Sequence, residues 1–241
     1  MTRKGMVRIT AVFLLFIPLF VGGFLMVYQT SQFAPPQTVP QELIIELPPP
    51  VLAGEMSLEQ TLYERRSIRA YRDEPLSLAQ LSQLLWAAQG ITNAAGHRTA
   101  ASAGALYPLE TLAVVGNVSG LEPGVYRYHP AGHSLSLVAA GDKRADLSAA
   151  ALNQGSVAQG AAVLVLSGIY ERTTGKYGQR GEQYVHMEVG IAYQNAHLQA
   201  VALGLGAVYI GAFDDARVGQ LLHLGEGERP FCLLPVGWPD G

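Results

Sequence analysis

Ser77-Leu78-Ala79-Gln80-Leu81-Ser82-Gln83-Leu84-Leu85-Trp86-Ala87-Ala88-Gln89-Gly90 reads as a helix from its first residue to its last. Ser77 followed three residues on by Gln80 is a capping box, which satisfies two of the free N–H groups at a helix start. Leu78, Leu81, Leu84, Leu85 and Ala88 then recur at the 3.6-residue period, and Gly90 ends the run. Ser57-Leu58-Glu59-Gln60 opens an earlier helix in the same way. Downstream, the hydrophobic period changes to that of strands. Thr111–Val115 is a short β-rich run, and Val125–Tyr128 pairs with Leu135–Val138 across the Pro130-Ala131-Gly132 turn. A small helix over 145–152 precedes the apolar strand 162–166, and the longest helix is expected over 183–203. A strand at 207–210, a helix capped by Asp214 or Asp215 and a last strand at 231–236 complete the order. Helices and strands mix without regular βαβ alternation, so the fold class is α+β around one central sheet.

Working back toward the N-terminus, Leu43–Leu47 is a candidate edge strand, and the domain proper is expected over 51–241. The preceding 31–50 are rich in proline, with Pro35-Pro36, Pro40 and Pro48-Pro49-Pro50, the composition of an extended linker. Residues 1–30 differ again. No charged side chain occurs from Ile9 to Gln41, and Ile9–Tyr28 is almost wholly apolar. At about 1.5 Å per residue that run covers about 30 Å, one hydrocarbon core, and a membrane-spanning helix is expected there. Arg3, Lys4 and Arg8 before it place the N-terminus in the cytoplasm by the positive-inside rule and the folded domain outside. A cleaved signal peptide is the competing reading, although small residues at a cleavage position are confined to Val21-Gly22-Gly23.

Composition excludes several functions. Charged residues are only 15% of the 241, and the net charge is −3. Since Arg3, Lys4 and Arg8 are all positive, the rest of the chain is still more acidic, which opposes binding to a phosphate backbone. Cys232, the single cysteine, sits in the apolar run 231–234 and cannot form an internal disulfide. His129 and His133 flank a hairpin turn with no third ligand nearby, so no metal site is expected. Gly204-Leu205-Gly206 with Gly211 has the wrong spacing for a dinucleotide fingerprint, and leads from helix into strand rather than the reverse. Gly168–Lys176 is too long for a P-loop, and no Gly-x-Ser-x-Gly elbow exists.

Three features remain. Arg65-Arg66-Ser67-Ile68-Arg69 puts three guanidiniums and a hydroxyl at the end of the first helix, a donor set that matches phosphate oxygens; a solvated basic helix end would look the same. Ser102-Ala103-Gly104-Ala105, before Leu106-Tyr107-Pro108, is a small-residue loop that lets backbone approach a flat ligand. Tyr209-Ile210-Gly211-Ala212-Phe213 ends a strand in small residues, another surface on which a ring can lie.

The order of these motifs resembles the nitroreductase family, and within it the SagB-type branch of thiazole/oxazole-forming peptide dehydrogenases. The match runs through Arg65–Arg69, Leu84–Gly90, Ser102–Pro108, Gly124–Tyr128, Glu171-Arg172-Thr173, Lys176-Tyr177-Gly178, Ile210–Asp214 and Leu234–Gly237. The resemblance implies a three-layer α+β fold with a mixed or antiparallel central sheet, and a homodimer with FMN at the subunit interface. Arg65, Arg66, Ser67 and Arg69 would hold the phosphate, ribityl and pyrimidine end. Ser102, Ala103, Gly104 and Ala105 would pack on the flavin from the partner subunit. Ile210, Gly211 and Ala212 would line the ring. Lys176 and Tyr177 match the acid/base pair of the azoline-oxidising branch, in which hydride leaves to the flavin while a nearby base takes a proton. Many relatives carry a basic clamp beyond the last strand; here the sequence ends Trp238-Pro239-Asp240-Gly241, so phosphate binding is expected to rest on the arginine cluster, assisted by Arg98 or Arg180.

The expected activity is therefore hydride transfer through FMN, on a small molecule or a modified peptide side chain. NAD(P)H-driven reduction of nitro compounds or quinones is the alternative, and a membrane-tethered flavin-binding scaffold without activity is the non-enzymatic one.

Overall fold

The computed structural model describes residues 43–241. The chain forms a short strand β1 (Ile44–Glu46), then helix α1 (Leu58–Glu64), the two-residue strand β2 (Leu76–Ser77) and helix α2 (Leu78–Gln89). Strands β3 (Leu109–Val115), β4 (Val118–Ser119), β5 (Gly124–His129) and β6 (Ser134–Ala140) follow. Helices α3 (Arg144–Ala150) and α4 (Gly155–Gln159) lead to β7 (Ala162–Ile169), and helices α5 (Glu171–Tyr177) and α6 (Arg180–Ala202) to β8 (Gly206–Ala207). Helix α7 (Asp215–Leu221) and strand β9 (Glu228–Gly237) close the fold.

Seven strands make one sheet in the order β1-β6-β5-β3-β7-β9-β8, with every neighbouring pair antiparallel. Alternation along the central strands explains the layering. Ala113, Val115, Ala162, Leu164 and Leu166 point to one face, where Leu81, Leu84, Leu85 and Ala88 of α2 meet Val185, Val189, Ala192, Ala196 and Ala200 of α6. Leu112, Val114, Val163 and Val165 point to the other, against Leu147 and Ala150 of α3, Val157 of α4 and Val218 of α7. The result is three layers, as expected, and it accounts for β7 being apolar at every position from 162 to 166: both of its faces are covered.

The local signals behave as their chemistry requires. Ser77 and Gln80 form the full reciprocal capping box on α2, whereas Ser57 caps α1 from one side only, accepting from the Gln60 N–H at 3.1 Å. Asp214 caps α7 by accepting from the Arg217 N–H. The edge strand expected within 43–47 is β1, paired with β6. His133 fixes the β5–β6 hairpin. Its ring meets Tyr128 Oη at 2.9 Å on one side, and Ser82 Oγ and the Pro48 carbonyl on the other. His129 is paired with Ser136 Oγ. Helix α5 went unforeseen. Its sequence Glu-Arg-Thr-Thr-Gly-Lys-Tyr contains two β-branched residues and a glycine, poor helix formers that packing against α6 overrides.

The expected membrane-spanning helix, and with it the single-pass topology and the membrane as a partner, is corrected. Among the described residues no helix is long and apolar enough to cross a membrane. The longest, α6, has 23 residues but carries Arg180, Glu182, Glu188 and a run of amides and histidines; charges at those depths oppose burial in lipid. The run 9–28 on which the expectation was placed lies outside the described residues.

Candidate active site

The arginine cluster forms the turn after α1. Arg66 folds back so that its guanidinium donates to the carbonyls of Tyr63 and Arg65, both at 2.8 Å. Arg69 leans toward the Ser67 carbonyl. Arg66, Ser67 and Arg69 are exposed and Arg65 is half-buried. Among the described residues none of the three guanidiniums forms an ion pair, although five other arginine–carboxylate contacts exist. A cluster of cations with no internal counter-charge suits an anionic ligand.

Two anchors seat this turn on the sheet. Ile68 donates its N–H to the Ala207 carbonyl at 3.0 Å, and Ser67 bridges Ala207 in parallel. Buried Tyr71 places its hydroxyl 2.7 Å from the Ile68 carbonyl and 3.1 Å from the Pro235 carbonyl. Strand β8, which leads into the 209–213 segment, is thereby held against the turn. In that segment, Gly211 and Ala212 are exposed, while Ile210 is buried and exchanges two backbone hydrogen bonds with Leu233. The Ile210 side chain packs into the core on the far face, so only its backbone borders the surface.

The small-residue loop is built differently. Gly104, Ala105 and Tyr107 have φ of 63°, 52° and 46°, the left-handed region that costs a side chain energy. Fixed contacts hold it there. Ser102 Oγ accepts from the Tyr107 N–H at 2.9 Å, and Glu188 of α6 accepts from the Ala103 N–H at 2.8 Å. Arg172 of α5 donates to the Tyr107 carbonyl and pairs with Glu110 at 2.6 Å. Burial pushes the Glu188 carboxyl above its ordinary range, while the bonds from Ala103 and Ser102 and the charge of Arg98 pull it back in part. Gly104 faces the ends of Lys176 and Tyr177. A Cβ there would lie 2.9 Å from Lys176 Nζ and 2.8 Å from Tyr177 Oη. The loop and the expected acid/base pair therefore meet.

The thirteen expected residues fall into two groups. Arg65, Arg66, Ser67 and Arg69 form the turn seated on Ala207, a few residues before the 210–212 segment; Ser102–Ala105 meet Lys176 and Tyr177 at Gly104. No hydrogen bond or ion pair joins the groups. Helix α6 serves both, the loop through Glu188 and the arginine turn through Tyr193 and His197, which places the two attachments about 7–14 Å apart along the helix. Arg98 belongs to the loop group, bonded to Gln89 and stacked 4.4 Å from the Tyr107 ring. Arg180 is bonded to Gln183. Neither reaches the arginine turn. An open groove of about 810 Å³ runs beside α1, between α2 and α6, with Leu52, Met56, Leu58, Trp86, Asn195 and Gln199 in its wall.

Sequence reading missed Glu188, Tyr193 and His197. One signal was available: Glu188 lies three residues after Val185 and four before Ala192, on the buried stripe of α6. An acid on a core-facing stripe needs a partner.

This fold and this site define a class. The Nitroreductase family model matches residues 62–238, and the chain belongs to that family. A nitroreductase-family protein of Methanocaldococcus jannaschii is 46% identical over 183 residues, 76% of this chain and 91% of that one. The structure of a nitroreductase-family protein from Anabaena variabilis superposes with a TM-score of 0.74 at 30% identity. That match covers 83% of this chain, which spans 42% of the Anabaena chain. A chain of the Escherichia coli microcin synthetase McbBCD complex, solved with truncated pro-MccB17 bound, gives a TM-score of 0.63 at 25% identity, covering 80% of this chain and 77% of that one. The family is thus established, whereas the SagB-type branch is a finer assignment than these matches make.

Proposed function

We propose that the protein is an FMN-dependent oxidoreductase that takes electrons from NAD(P)H and reduces small nitro compounds or quinones. The observation that carries this reading is the set of three guanidiniums without ion pairs beside the Ser67 hydroxyl, within the stretch 62–238 that the family model matches. When bound, FMN supplies hydride transfer; the chain supplies binding, orientation and proton handling. Arg65, Arg66, Ser67 and Arg69 would hold the phosphate and ribityl end by charge-assisted hydrogen bonds. The backbone of 210–212, free of side-chain bulk at Gly211, would border the ring. The groove beside α1 is wide enough for a small aromatic acceptor.

The separation of the two groups supports a further part of the reading. A homodimer would let the Ser102–Ala105 loop of one copy complete the arginine surface of the other. Leu58, Leu62 and Tyr63 of α1 and Met187 and Ile191 of α6 are all exposed, from 39% to 79%, an apolar surface suited to a second copy.

Dehydrogenation of a modified peptide side chain is the second reading. It is favoured by the position of Lys176 Nζ and Tyr177 Oη at Gly104, where either atom could hold or take a proton next to the loop.

An anaerobic absorption spectrum of the purified protein, before and after NADPH, tests the first reading. Flavin bands that bleach on addition are the expected result. Bands that persist would transfer support to the dehydrogenase reading, and failure to bind added FMN would overturn both.

A further inference from the structure

The arginine turn is held from beneath by two side chains of α6, buried His197 and half-buried Tyr193, whose hydrogen-bond directions can be assigned. His197 on α6 is completely buried, and its Nε2 lies 3.2 Å from the Arg66 carbonyl oxygen. A carbonyl only accepts, so Nε2 carries the proton. Burial lowers the pKa of His197, opposed by its bond to the Arg66 carbonyl and reinforced by the charge of Arg65, so the ring is neutral near pH 7. A neutral ring leaves Nδ1 as an acceptor, and the Tyr193 hydroxyl stands 2.7 Å from it as the donor. Tyr193 is itself half-buried, with its hydroxyl pKa pushed up to about 12 chiefly by burial, so it keeps the proton it donates. Its ring packs edge-on against Tyr209, with centroids 4.8 Å apart, at the start of the 209–213 segment. Tyr193 and His197 therefore connect the two segments of the arginine surface through the body of α6.

The consequence lies in the peptide plane. In a trans peptide the C=O of one residue and the N–H of the next point in opposite directions. Drawing the Arg66 carbonyl inward to His197 aims the Ser67 N–H outward. The same turn exposes the Ser67 hydroxyl and the guanidiniums of Arg66 and Arg69. We propose that Tyr193 and His197 are positioning residues that fix the Arg66–Ser67 peptide, so that the Ser67 N–H joins the hydroxyl and guanidiniums in one set of donors for a phosphate monoester.

This inference rests on the FMN reading and concerns the phosphate rather than the ring. The test compares FMN with riboflavin, which has the same ring and no phosphate, by fluorescence titration of the full chain. Wild type is expected to prefer FMN. Tyr193→Phe keeps the ring contact to Tyr209 but loses the donor to His197, and His197→Leu loses the bond to Arg66. Each is expected to weaken FMN binding about tenfold, the scale of one well-placed hydrogen bond, with riboflavin binding unchanged. His197→Gln, which returns an amide donor near Nε2, is expected to recover part of the preference. Circular dichroism confirms folding, and Tyr193→Phe, which removes a single oxygen, is the variant that decides if His197→Leu unfolds. A folded Tyr193→Phe that keeps the wild-type FMN-to-riboflavin ratio, or loses affinity for both ligands equally, overturns the positioning role alone. Wild type that binds neither flavin overturns the FMN reading and this inference together.

Discussion

The arginine turn and the small-residue loop hang from the same helix by opposite means. Beneath the turn is a neutral pair, Tyr193 and His197, with the charges left outside, exposed and without ion pairs. Beneath and beside the loop are charges, Glu188, Arg172 and Glu110, while the loop itself offers only backbone and methyl groups. On the proposed flavin reading, the difference follows from what each surface would present. A surface that binds through charge gains if its support is neutral, because a buried carboxylate would pair with the guanidiniums and use up their donors. A surface that binds through shape needs its backbone held in left-handed conformations, and charge-assisted hydrogen bonds are the stronger restraint.

This contrast yields variants with separable effects. The largest is expected for Arg65→Ala combined with Ser67→Ala. FMN affinity should fall on the order of 100-fold, the scale of one charge-assisted and one neutral hydrogen bond, while the thermal midpoint changes little; isothermal titration and a melting curve give both numbers. Gly104→Val acts on the other side of the comparison. A β-branched residue at φ 63° costs about 2 kcal/mol, and its side chain displaces Lys176 and Tyr177, so the denaturant midpoint and the turnover should drop together. Glu188→Ala should cost about 1–2 kcal/mol by leaving the Ala103 N–H without its acceptor. Hydrogen exchange should report it as faster exchange confined to the loop. If Glu188→Ala instead loosened the arginine turn, the two supports would not be independent.

The smallest effect concerns pH, at the edge of the loop network. Burial works to raise the Glu228 pKa, but hydrogen bonds from Arg127, Ser167 and the Gly225 N–H, with the charge of Arg127, hold it below the ordinary carboxylate value. A lowered pKa in the folded state means that Glu228 contributes stability in full above the unfolded carboxylate pKa. That contribution is lost as pH falls through the folded value. Acid unfolding of Glu228→Gln should therefore show a shallower loss of stability below about pH 4.3; an identical acid limb would remove Glu228 from the account.

Much of this was legible in the sequence because it rests on local rules. The capping box at Ser77, the β-rich run 111–115, the continuous apolar run 162–166 and the glycine at 90 each act within a few residues, and the elements form near where they were expected. Helix α5 was not legible, since Thr173, Thr174 and Gly175 disfavour a helix and only tertiary packing supplies one. The meeting of Lys176 and Tyr177 with the small-residue loop was also hidden. Lys176 and Gly104 are seventy-two residues apart in the sequence, and only the passage of α5 beside the loop brings them together. Tyr193 and His197 looked like ordinary polar positions of a long helix, because their role depends on the Arg66 carbonyl, which sequence does not orient. The apolar run 9–28 had suggested a membrane span on composition alone.

In the proposed homodimer, each flavin site would draw its arginine turn from one copy and its small-residue loop from the other. Co-expression of the Arg65→Ala/Ser67→Ala chain with the Gly104→Val chain tests it directly, with bound FMN counted after purification. Each variant alone should bind little. In mixed dimers one site carries both defects and the other carries none, so random pairing should restore about a quarter of the wild-type flavin content. Flavin content no higher than that of the separate variants would contradict the account, and would mean that both groups serve a site within a single chain.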